Sequence, residues 1–303
     1  MNPANDTNWI TKFNIHVSSN SNKVFGNGRH QLEVSVTVTP KAGVDIIDEQ
    51  LDSIRLVTLD DNGAYQELSG ELHMSTERDT RFEYYADTGA PPAPLIAANT
   101  LRRKFYVSST RSGGTLDVVY AAITKDEATH YVSHTSKFNS AITIETLTPL
   151  RLTREDMTLS VEDNHEHTVN ATEWDYDVYQ LFLKSRTLKL VASVPYGPGS
   201  GTPYYQHTVE DDGWLSDGEP RSYTHIAYEV SDRRTFQAPT TVLSIHRRAG
   251  SMVIIRIKTF GPVTLSGAHN RTSQWGLFDQ YGNEHKIEMT QQSNGNLLDF
   301  IVI

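Results

Sequence analysis

A chain of 303 residues has room for two ordinary domains, and 37 acidic against 27 basic side chains, a formal charge of -10 with no basic block, argue against a phosphate-tracking surface for nucleic acid. The absence of cysteine removes disulfides, thiolate metal sites and thiol nucleophiles together. No stretch approaches the ~18 consecutive apolar residues of a spanning helix. Residues 1–12 lack the basic patch and apolar run of a secretory signal. The chain therefore reads as cytoplasmic on synthesis, with release as part of a particle or by a non-classical route left open.

The clearest periodicity comes first, at residues 31–39. Leu32, Val34, Val36 and Val38 fall on one face and Glu33, Ser35 and Thr37 on the other, which predicts a half-buried strand with its polar face in water. The period of two recurs at Leu116, Val118 and Tyr120, at Ile142 and Ile144, at Leu188, Leu190, Ala192 and Val194, and at Ile226, Tyr228 and Val230. Turn signals separate these runs, among them Asn27-Gly28, Asp61-Asn62-Gly63, Gly113-Gly114, Gly282-Asn283 and Asn294-Gly295. Many short strands between such turns predict an all-β chain of two antiparallel β-sandwich domains, immunoglobulin-like or jelly-roll-like. The composition shift after residue 149 places an N-terminal domain at 1–150, a linker at 151–173 and a C-terminal domain at 174–303. Residues 87–99, with Pro91, Pro92 and Pro94, read as a long exposed loop.

Residues 24–38, in which Asn27-Gly28 leads into the alternating Val/Thr run, resemble the opening of bacterial immunoglobulin-like modules of the invasin and intimin type. The resemblance covers one turn and one strand. It implies a sandwich and an adhesion, spacer or shell module of bacterial or phage origin.

Candidate chemistry lies in the second half. His165 and His167, two residues apart beside Asp163 and Glu166, would point the same way on an extended strand and offer two ligands for a divalent metal; a solvated acidic loop accounts for the same residues. The acidic run from Glu210 to Glu219, with Asp211, Asp212 and Asp217 around Gly213 and Gly218, has oxygens enough to wrap calcium but not the spacing of an EF-hand, and a polar hairpin tip explains it without a cation. Trp214 in that run, with Tyr196, Tyr204 and Tyr205, forms either an aromatic platform for a glycan or a protein surface, or part of the core. No nucleophile elbow, dinucleotide fingerprint or phosphate-binding loop occurs, so no catalytic residue is nominated and no cofactor beyond calcium is implied.

Finally, residues 297–303 are apolar at six of seven positions, which predicts a strand covered on both faces, by its own domain or by a neighbouring subunit. These observations favour a non-enzymatic structural protein that self-associates, such as a subunit of a bacterial or phage particle, injection apparatus or inclusion. The alternative is a recognition module or toxin component whose loops bind a glycan or a cell-surface receptor.

Overall fold

The structure is a computed structural model, and it describes residues 3–86, 99–170, 172–196, 204–210, 221–231, 235–237, 240–244, 250–260, 273–292 and 297–303. It is nearly all β, as the alternating runs and turn signals require, with one short helix, α1 (Asp48–Asp52), among the described residues. No helix among them is long and apolar enough to cross a membrane. The chain divides into two compact units, one of Met1–Leu150 with Tyr281–Asn283, the other of Arg151–Gln280 with Glu284–Ile303.

The first unit contains two sheets. One is built from β1 (Ile10–Val17), β3 (Leu32–Pro40), β7 (Leu101–Ser109) and β6 (Leu72–Ser75), in that order. The other runs β2 (Lys23–Phe25), β10 (Ile142–Leu147), β8 (Leu116–Asp126), β4 (Arg55–Leu59), β5 (Tyr65–Glu67), with β9 (Thr129–Val132) also on β8. Every pairing in the unit is antiparallel except that of β2 with β10. Phe13, Val34, Val36 and Phe105 from the first sheet share one core with Val24, Leu56, Ala121 and Ile144 from the second. That shared core is what makes the unit a sandwich.

The polar face of β3 departs from expectation. Glu33, Ser35 and Thr37 are buried along with the valines, at 9%, 0% and 8% exposure. Their cover comes from elements distant in sequence. Lys104 and Arg102 of β7 lie over the strand, and Tyr84 reaches Glu33 from the irregular segment that follows β6.

The second unit also has two main sheets. The larger is β11 (Met157–Val169), β12 (Thr172–Leu183), β18 (Ser251–Phe260), β15 (Arg221–Tyr228) and β14 (Tyr204–Glu210); the smaller is β13 (Leu190–Tyr196), β19 (Ser273–Asp279), β20 (Glu284–Gln292) and β21 (Leu297–Val302). Tyr179, Leu181, Met252 and Ile254 of the larger sheet pack with Trp275, Leu277, Ile287 and Phe300 of the smaller. The larger sheet carries a second apolar layer on its other face. There Val178, Val253, Ile255 and Ile257 lie under Phe236 and Leu243, from a hairpin of β16 (Thr235–Gln237) and β17 (Val242–Ser244). Covered on both faces, β18 carries successive apolar residues and no alternation.

Residues 151–173, read from composition as a linker, hold a 3-10 turn (Arg154–Asp156) and then β11. The polar run that suggested a loop belongs to an edge strand that, among the described strands, pairs with β12 alone. An edge strand keeps one side in solvent, so polar residues suit it as well as they suit a linker. The proline-bearing residues 87–98 lie outside the described residues.

Candidate functional site

His165 and His167 stand in β11 opposite Tyr176 and Trp174, just past a register shift between Asp163 and His165 that marks a β-bulge. Their side chains lie outside the described set. Among the described residues no three histidines or carboxylates come together as a metal site. Tyr204 and Tyr205 open β14, opposite Ala227 and Ile226, on the larger sheet. Tyr196 ends β13 on the smaller one, so the three tyrosines do not share a sheet. Trp214, Asp211, Asp212 and Asp217 lie outside the described residues.

A titratable cluster that sequence spacing did not single out lies around Glu33 on the outer face of β3. Ser18 Oγ donates to Glu33 Oε1 at 2.7 Å, Lys104 Nζ sits 2.9 Å from the same oxygen, and Tyr84 Oη donates to Oε2 at 3.2 Å. Arg102 Nε donates to Ser35 Oγ at 2.9 Å, and Ser35 in turn donates to Ser18 at 3.0 Å. Burial works to raise the Glu33 pKa, but the hydrogen bonds from Ser18 and Lys104 and the Lys104 charge outweigh it and hold the carboxyl below its ordinary value. Burial also raises the Tyr84 hydroxyl, reinforced by the Glu33 charge. His16, opposite Ser35 in the ladder, is lowered by burial and by Arg102. A low-pKa carboxylate with both oxygens engaged is a weak proton acceptor, and it serves as a clasp that fastens the Tyr84 segment onto the sheet.

A different surface is open. In the four-stranded sheet the register sets Tyr196, Gln274, Glu288 and Ile301 in one row across β13, β19, β20 and β21. Tyr196 lies flat because Gly276 leaves space: a Cβ there would sit 2.8 Å from the tyrosine ring. Its hydroxyl bonds Glu284, and Lys286 Nζ stands 5.3 Å from the ring centroid.

At the end of this row β21 forms the sheet edge. Leu298 and Phe300 enter the core, whereas Leu297, Ile301 and Ile303 remain 47%, 49% and 53% exposed. Among the described residues of the chain, cover is present on one face. Within β21 the only charge is Asp299, and Arg154 Nη2 holds it at 2.9 Å while the same guanidinium lies over the Phe300 ring at 4.0 Å. Among the described strands β14, seven residues in regular register with β15, is also a long unbroken edge, whereas several other edges are blunted. β1 and β11 carry register shifts, β13 contains Pro195, and β2 and β5 have three residues each. β21 has six residues, no proline and no irregularity in its pairing with β20. The six-of-seven apolar count marked the segment in the sequence; its place at an edge depends on pairings that the count does not encode. No protein-family model matches the chain, and no curated protein matches it in sequence.

Proposed function

We propose that this protein is a structural subunit that assembles with further copies of itself, of the kind from which particles, injection apparatus or inclusions are built, and that β21 is its assembly edge. One observation carries the reading: β21 keeps Leu297 and Ile301 about half exposed, with Ile303 equally exposed just past its end, on a strand whose single charge is already engaged by Arg154. An edge of this kind offers unpaired backbone groups and apolar side chains together, which is the arrangement that strand addition uses. A second copy supplies a matching edge, because a two-fold axis brings the same surface to both partners.

Light scattering coupled to size exclusion, over a range of concentrations, tests this on wild type and Ile301→Lys. Wild type is expected as a species larger than the 34.0 kDa chain. The variant, which leaves Leu298 and Phe300 in place, is expected to run as a monomer with unchanged circular dichroism. A monomeric wild type, or a variant that assembles equally well, overturns the proposal.

A further inference from the structure

Two clefts of the first unit both have Arg55 and Glu67 in their lining. The larger, about 510 Å³, is lined in addition by Arg103, which pairs with Asp52 at 2.8 Å, and by Lys104, which pairs with Glu33 at 2.9 Å. The smaller, about 200 Å³, is a dent whose lining includes Val57, Ala122 and Val132 with Arg55, Tyr65 and His130 around them. The ladder explains its composition. Leu56 of β4 and Ala121 of β8 turn into the core, so their neighbours Arg55, Val57 and Ala122 form the opposite face.

Tyr65 and His130 are held in place. Tyr65 Oη lies 2.7 Å from His134 Nδ1, and Thr124 Oγ1 lies 3.0 Å from His130 Nδ1. The Arg55 guanidinium has no such tie: among the described residues no carboxylate, carbonyl or hydroxyl accepts from it, although Arg55 is half-buried. Glu67 lines the same dent without pairing with it. An arginine offers five donors in a rigid fork that matches a carboxylate, and beside a small apolar floor that fork selects a ligand with both parts.

We propose that this dent binds a small carboxylate with a branched aliphatic body, the carboxylate on Arg55 and the hydrocarbon on Val57, Ala122 and Val132. The dent lies below the volumes that hold drug-sized molecules, which restricts the body to a few carbons. The site is independent of the assembly edge.

The test is titration of the full chain with 4-methylpentanoate and, separately, with the neutral 4-methylpentanamide, followed by amide chemical shifts and calorimetry. The acid is expected to shift the Val57, Ala122 and Val132 amides saturably, and the amide to bind about tenfold more weakly, the worth of one charge-assisted pair. Arg55→Gln is expected to lower acid affinity to the level of the amide. Equal binding of acid and amide to wild type overturns the proposal, as does an absence of saturable shifts or undiminished acid binding by a folded Arg55→Gln. If that variant does not fold, the wild-type comparison of acid with amide decides.

Discussion

The central strands of the two units are both buried on two faces, yet they reach that state by opposite routes. In the first unit β3 alternates valines with Glu33, Ser35 and Thr37, and its outer face is closed by a hydrogen-bonded clasp. In the second, β18 reads Met252-Val253-Ile254-Ile255, and an apolar hairpin bearing Phe236 and Leu243 covers the face away from the main core. The contrast teaches that alternation reports which side chains can face the core, not which faces stay wet. A polar face can be buried if each polar group finds a partner.

Aspartate substitutions give the sharpest division. Placed at Ile254 or at Ile255, a carboxylate enters an apolar layer in either case, and each variant is expected to lose about 4–5 kcal/mol in urea denaturation. In β3 the same loss is expected for Val36→Asp, while Ser35→Ala costs about 1–2 kcal/mol, since it removes one hydroxyl from the clasp and opens no core. If Ile255→Asp melts like wild type, the hairpin is not a cover and the comparison fails.

Next in size is a backbone contact of the first unit. A Cβ on Gly113 would stand 2.5 Å from the Thr148 amide nitrogen, a fixed main-chain atom, so Gly113→Ala is expected to cost about 3 kcal/mol. At Gly276 of the second unit the obstacles are the ends of Tyr196 and Glu284, which can swing away, and Gly276→Ala should cost about 1 kcal/mol. Equal melting temperatures for the two would show that Thr148 yields as easily as a side chain.

The smallest effect depends on pH. Because the Glu33 carboxyl is held below its unfolded value, its contribution is present above the unfolded pKa and is lost as pH falls through the folded one. Wild type should therefore lose more stability than Glu33→Gln between about pH 5 and pH 3. Parallel acid-denaturation curves would mean that the carboxylate contributes nothing to closing the outer face.

Much of this architecture was legible in the sequence. The alternation at Leu32, Val34, Val36 and Val38 identified the core face of β3, and the Asn27-Gly28 and Gly113-Gly114 signals fell at turns. The clasp was not legible, because Glu33 meets Lys104 and Tyr84 only after the sheet has formed, and no local spacing links them. Nor was β11, since hydropathy cannot tell a solvated edge strand from a solvated loop. Of the candidate site residues, the structure places the backbones of His165, His167, Tyr204 and Tyr205 on edge strands. Arg55 carried no signal, because its distinction is that no described residue accepts from its guanidinium.

The parallel pairing of β2 with β10 bears on the order in which the first unit acquires its structure. Lys23, Val24 and Phe25 find Glu145, Thr146 and Leu147 as ladder partners, so one of the first strands is hydrogen-bonded to the last one of the sheet. Closing so long a loop is entropically unfavourable before other contacts have drawn the ends together. The β8–β9 hairpin and the β4–β5 hairpin join neighbours in sequence and need no such closure. On a ribosome the early strand must wait for nearly the whole unit to emerge. Its apolar Val24 and Phe25, both buried in the folded unit, stay unsheltered during that wait.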